Sequence, residues 1–135
     1  MFELDPRLAA DTLSVTEWSL SRVLLMNDAR FPWLILVPTR ASLVELTDLS
    51  DAEQQQLLKE SMTLSHYLKA RFKADKMNVA ALGNVVAQLH IHHVARFRHD
   101  AAWPAPVWGQ GVAVPYEDSA SSALLASLRA ELPSL

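Results

Sequence analysis

Apolar and polar residues alternate over Gln88-Leu89-His90-Ile91-His92, the period of a β-strand, which turns successive side chains to opposite faces. Leu89 and Ile91 are predicted to enter a core, with Gln88, His90 and His92 projecting together on the polar face. This strand runs over 87–97 and pairs through a Gly83-Asn84 turn with a strand over 76–82. An earlier hairpin joins strands 18–26 and 33–37 across Asn27-Asp28-Ala29-Arg30-Phe31-Pro32, a stretch rich in turn formers, and Pro38 closes its second strand. Helical spacing follows. Ser50 and Glu53 form a capping box ahead of a long helix reaching Phe72, with Leu57, Leu58, Met62, Leu64, Leu68 and Phe72 as its apolar stripe. Residues 5–12 predict a short helix with Asp5 as cap and Pro6 in its first turn. Residues 117–132 are weakly helical, with Leu124, Leu128 and Leu132 in a row. Strands that come in pairs predict the α+β class: an antiparallel sheet with the long helix packed on it.

Composition narrows the partners. The chain of 135 residues is expected to form one domain over 1–135, with half its residues hydrophobic and a net charge of -3. Any attraction for anions must therefore be local, and a nucleic-acid partner is not expected. There is no cysteine, which removes thiolate chemistry and cysteine-based zinc sites. No apolar run approaches the roughly 20 residues that cross a bilayer, and Met1–Asp5 is not a signal peptide. No membrane partner and a cytoplasmic location are the expectation.

The five histidines divide by setting. His66, at or beyond the edge of the helical stripe, and His99, beside a loop, are expected in solvent. His93 shares the face of Leu89, Ile91 and Phe97 and is expected to be packed with a ring nitrogen hydrogen-bonded. His90 and His92 stand on the polar face with Arg96 and Arg98 in phase beyond them, a cationic and nucleophilic surface suited to phosphate, although surface arginines are ordinarily just solvated. Three chemistries use such a pair. A neutral imidazole attacks phosphorus while donors steady the equatorial oxygens. Two histidines share a metal, which wants a third ligand that this strand does not carry. Or the surface binds an anion without turnover.

Gln88-Leu89-His90-Ile91-His92-His93-Val94 resembles the signature strand of the histidine triad superfamily of nucleotide hydrolases and transferases, His-apolar-His-apolar-His and two apolar residues. Leu25-Met26-Asn27 with Leu34–Pro38 resembles that family's ribose-contacting hairpin, Leu46–Ser50 its lead into the long helix, and Gly83-Asn84 a glycine and polar residue ahead of the triad. The likeness covers about residues 15–104, leaving 105–135 as a C-terminal extension that opens on the proline- and tryptophan-rich loop 103–109. It implies His90 as nucleophile toward the α-phosphate and His92 as a contact to phosphate oxygens. It further implies Asn27 on the ribose, and Asn84 and Asn78 near the phosphate. The carbonyl of Gln88 would hold the tautomer of His90, and no cofactor or metal is called for. A homodimer is implied.

Three positions depart from the pattern. Gln88 stands in place of the first histidine; its amide can hydrogen-bond a phosphate but cannot act as an acid. His93 stands where an apolar residue is usual, and Trp33 where many members carry another histidine; it is expected in the core. The reading is a hydrolase or transferase acting at the α-phosphate of a nucleotide conjugate, such as a dinucleoside polyphosphate or nucleoside phosphoramidate. The missing first histidine motivates an alternative, a nucleotide-binding or regulatory protein with little turnover.

Overall fold

Trp33, Ile35 and Val37 turn to one side of the central strand while Leu34 and Leu36 turn to the other, and all five are buried. Strand alternation thus divides the sheet into two apolar faces. In the computed structural model, which describes residues 1–135, the elements in order are α1 (Pro6–Asp11), β1 (Thr12–Glu17), β2 (Ser21–Met26), β3 (Trp33–Pro38), a 3₁₀ turn (Leu46–Asp48), α2 (Asp51–Phe72), β4 (Lys76–Ala80), β5 (Ile91–Arg96) and α3 (Asp118–Glu131). The five strands form one sheet in the order β1-β2-β3-β5-β4, with every neighbouring pair antiparallel. The α+β prediction holds.

One face carries the larger core. Val23, Leu25, Leu34, Leu36, Ile91 and Ala95 pack there with Leu57, Leu64 and Leu68 of α2 and Leu128 of α3. The opposite face packs Leu24, Trp33, Ile35, Val37 and Val94 with Leu8 of α1, Phe31, Ala102 and Val107. The functional candidates lie on this second, more thinly covered face.

Helix α2 begins at the predicted capping box: Ser50 Oγ accepts from the N–H of Glu53, whose carboxylate accepts from the N–H of Ser50. Its inward stripe is Leu57, Glu60, Ser61, Leu64 and Leu68, whereas Leu58 and Met62 are exposed. The expected stripe was one position out of phase at those two leucine-like sites. Two polar residues take the inward positions because partners await them: Glu60 Oε2 accepts from the N–H of Leu20, and Ser61 Oγ bonds His93 Nε2 at 2.7 Å.

Strand boundaries shift as well. The expected strand 18–26 starts at Ser21; Trp18–Leu20 is the turn of a hairpin whose first arm, β1, follows α1 directly. The expected 76–82/87–97 hairpin exists, but its strands are Lys76–Ala80 and Ile91–Arg96, joined by ten residues rather than a Gly-Asn turn. Residues 81–90 spend their backbone groups sideways; the N–H of Leu89, for example, donates to Leu43.

Candidate active site

His90 sits at the entrance of β5 and His92 inside it, and both rings emerge on the thinly covered face. Their ring centroids are 4.8 Å apart, edge to face. Together they line a cleft of about 430 Å³ whose walls include Arg7, Leu8 and Asp11 of α1, the 82–86 loop, Trp33 and Trp108. Each ring is largely buried yet open on this one side.

Hydrogen bonds set the two rings differently. His90 Nδ1 lies 2.6 Å from the carbonyl oxygen of Gln88. A carbonyl only accepts, so Nδ1 carries a proton and, in the neutral ring, Nε2 keeps a free lone pair. His92 Nδ1 lies 3.0 Å from Nε1 of Trp33, and an indole N–H only donates. His92 therefore accepts at Nδ1 and, when neutral, bears its proton on Nε2. Burial, followed by the neighbouring His90 and His93, pushes the pKa of His92 down to about 3, which keeps it neutral near pH 7. The cleft thus offers one nucleophilic nitrogen and one N–H donor side by side.

A second compartment of about 440 Å³ adjoins the first, sharing Asp11, Met26, Trp33, Trp108 and Gly109. Asn27 lines it, with Oδ1 accepting from the N–H of Tyr116. Asp28 and Arg30 form an ion pair at 2.8 Å on its wall. Burial alone would raise the Asp28 carboxyl, but Arg30 and the N–H groups of Arg30 and Val114 more than offset it and hold the carboxyl below its ordinary value. Asn84 lies on the rim of the first compartment with the histidines.

Other sequence-predicted residues are placed elsewhere. Asn78 is on β4, where its Oδ1 accepts from Arg96 Nη1 at 2.8 Å, and it does not line the cleft. Gln88 does not line the histidine cleft. Its Oε1 accepts from the N–H of Asp5 at 2.9 Å and its Nε2 donates to the carbonyl of Glu3 at 2.8 Å. Arg96 neither reaches solvent nor lines the cleft: it is 1% exposed, paired with Asp100 at 2.8 Å and bonded to the carbonyl of Ala105. Burial favours a neutral Asp100, yet the Arg96 guanidinium and the N–H groups of Phe97, Ala102 and Trp103 hold that carboxyl far below its usual range. Arg98 falls beyond the end of β5 and is exposed. His93 is sealed among core residues, its pKa pushed down to about 4 by burial, and His66 and His99 are exposed, all as expected. No group of three or more His, Asp or Glu side chains is gathered to share an ion, and no helix is long and apolar enough to cross a membrane.

Residues 7–99 match the HIT domain family. The chain belongs to that family. Solved histidine triad proteins superpose along nearly its whole length. One from Marinobacter aquaeolei is 48% identical with a TM-score of 0.94, covering 98% of this chain and 99% of its own. One from Bradyrhizobium japonicum is 42% identical with a TM-score of 0.94, covering 98% of both chains. Among curated proteins, a bis(5'-adenosyl)-triphosphatase of Saccharomyces cerevisiae is 31% identical over 70 residues, 48% of this chain and 34% of its own. The chain thus aligns with about a third of that relative's length.

Within this HIT domain, several cleft residues carried no signal in the pattern. Arg7 and Asp11 lie on a short helix whose spacing gave only its existence, and the Asp28–Arg30 pair was hidden in a stretch read as a turn. Trp108 was partly legible, since a tryptophan in a proline-rich loop is costly to leave in water. It packs against His92 and Trp33, with ring centroids 5.2 and 6.0 Å away, and so walls the cleft from the C-terminal side. Trp33 is buried as expected and also faces the site, a double role the sequence left open.

Proposed function

We propose that this HIT protein hydrolyses or transfers nucleotide conjugates at the α-phosphate, with His90 as nucleophile. The observation that carries the reading is the 2.6 Å contact of His90 Nδ1 with the Gln88 carbonyl, which puts the proton of the neutral ring on Nδ1 and its lone pair on Nε2 at the cleft wall. In the reaction, the Nε2 lone pair forms a bond to phosphorus as the bond to the leaving group breaks, and that group departs with the electron pair. The Nε2–H of His92 donates to a phosphate oxygen and steadies the charge that builds there. Water then attacks phosphorus, the N–P bond breaks, and the mononucleotide leaves with His90 restored and one proton passed to solvent.

The adjoining compartments suit a substrate with two chemically different parts. Asn27 and the aromatic wall of Trp33 and Trp108 accommodate the nucleoside, and Asn84 lies at the phosphate end with the histidines. Dinucleoside polyphosphates and nucleoside phosphoramidates both fit this description, and the partial likeness to a bis(5'-adenosyl)-triphosphatase favours the former. A homodimer and a cytoplasmic setting belong to the same reading.

The commitment of the Gln88 amide to Glu3 and Asp5 favours a second reading, a nucleotide-binding protein of little turnover, because no side chain at position 88 can relay a proton. Incubation with a dinucleoside polyphosphate and with an adenosine phosphoramidate separates the two. Mononucleotide release that vanishes in His90→Ala supports the enzyme. Tight binding by both proteins without product supports the binder.

A further inference from the structure

A polyphosphate brought against His90 and His92 carries several negative charges, and the two arginines in phase with the histidines do not meet them. Arg96 is sealed and neutralised by Asp100, and Arg98 lies past the end of β5. Arg30, in the nucleoside compartment, is bonded to both carboxylate oxygens of Asp28 and to the carbonyl of Gln110. Among the residues lining the histidine cleft, Arg7 is the one arginine or lysine, and it makes no ion pair.

Arg7 sits on α1, a helix of six residues. Such a helix is too short to hold itself in place, so its position depends on what ties it down. At its start, the Gln88 amide grips the backbone on both sides of Leu4: the N–H of Asp5 donates to Oε1, and Nε2 donates to the carbonyl of Glu3. Asp5 is also the N-cap, its carboxylate accepting from the N–H of Arg7 at 2.8 Å. At the other end, the N–H of Asn27 donates to the carbonyl of Asp11 at 3.0 Å, and Leu8 is buried in the second core between the two ties. Gln88 is thus joined to both cleft components: its carbonyl holds His90, and its side chain holds the helix that carries Arg7.

We infer that Arg7 binds the phosphates of an anionic leaving group, so that the cleft selects conjugates with a polyphosphate leaving group over those with an uncharged leaving group, and that Gln88 positions Arg7 for this. The inference rests on the nucleotide reading above. Asp11, one helical turn from Arg7 and shared by both compartments, sets the direction. Its carboxylate repels phosphate and accepts from hydroxyls, which places the sugar toward Asp11 and Asn27 and the phosphate chain toward Arg7. The residue that departs from the family's first histidine position then has a role of its own.

The test compares ligands that differ only in charge beyond the α-phosphate. Binding of AMP and of ATP is measured by calorimetry on the His90→Ala protein, with and without Arg7→Ala. ATP binding is expected to weaken about tenfold and AMP binding to change less than about twofold, with Arg7→Lys recovering part of the loss. In the enzyme with His90 intact, Arg7→Ala should raise KM for a dinucleoside polyphosphate about tenfold and lower kcat/KM for an adenosine phosphoramidate, whose leaving group is ammonia, by a clearly smaller factor. Gln88→Ala should reproduce this pattern and add nothing in an Arg7→Ala background, the non-additivity expected of residues acting as one unit. Equal weakening of AMP and ATP by Arg7→Ala, or none, overturns the role of Arg7. Additive effects of the two substitutions overturn the positioning role of Gln88 and leave that of Arg7 standing. Failure of the His90→Ala protein to bind either nucleotide overturns the nucleotide reading, and this inference with it.

Discussion

His90 and His92 stand 4.8 Å apart in opposite tautomers, one fixed by a carbonyl and the other by an indole. Neighbouring imidazoles left to themselves share protons and rotate; here a strict acceptor and a strict donor remove that freedom. The indole of Trp33 is what makes the second tautomer unambiguous.

Trp33→Phe keeps an aromatic ring in the core but deletes the N–H that His92 accepts. His92 is then expected to populate both tautomers, visible in long-range ¹H–¹⁵N correlations of the imidazole, and its pKa should move from about 3. Turnover is expected to fall about tenfold, less than the roughly hundredfold or more that outright loss of a positioned proton donor costs. A His92 that remains wholly protonated on Nε2 in the variant contradicts the assignment.

The packed histidines set an acid limit. His93 has a folded-state pKa of about 4 against an ordinary 6.5, and His92 about 3. Between those values and 6.5 the unfolded chain binds protons that the folded chain refuses, so stability is complete above pH 6.5 and declines as pH falls toward 4. For His93 alone the loss is on the order of 3 kcal/mol. Thermal unfolding across that range should show the decline, and a His93→Leu, Ser61→Ala double variant, which removes one titrating ring and its partner together, should make it shallower, leaving the part due to His92. A pH-independent melting temperature between 4 and 7 in the unsubstituted protein contradicts the burial of a neutral His93.

Arg96 offers a third test, because its role differs from the expected one. Asp100→Asn leaves a buried guanidinium without its counter-charge and is expected to cost about 3–5 kcal/mol of unfolding free energy in denaturant titrations. The cleft charge is unaltered by this change, so nucleotide affinity of the folded fraction should hold. A stable variant with weakened nucleotide binding would put Arg96 back at the anion site.

Helix α2 supplies a fourth. Leu58→Lys, on the exposed side, should alter stability by less than about 0.5 kcal/mol, whereas Leu57→Ala should cost about 2–5 kcal/mol. Urea unfolding of the two variants distinguishes the observed phase from the stripe that hydrophobicity alone suggests.

That phase error shows where sequence reading stops. Alternation around His90 and His92 predicted a core-facing Leu89 and Ile91 and two rings on the other face, because strand periodicity is local. The capping box at Ser50 was legible for the same reason. Glu60 and Ser61 inside the core were not, since their burial depends on the N–H of Leu20 and the ring of His93 arriving from distant strands. Gln88 escaped likewise: its partners, Glu3 and Asp5, lie more than eighty positions away and left no mark on the local pattern. Arg96 appeared in phase with the histidines and was, but the Asp100 that neutralises it turns back from the following loop.

The central claim is that His90 attacks phosphorus. It is tested most directly by mixing protein with a dinucleoside polyphosphate, quenching under conditions that preserve an N–P bond, and weighing the intact chain. The account predicts a transient gain of one nucleotidyl group, mapped to His90 and absent in His90→Ala. Mononucleotide release at full rate from His90→Ala, or an adduct on any other residue, would contradict it.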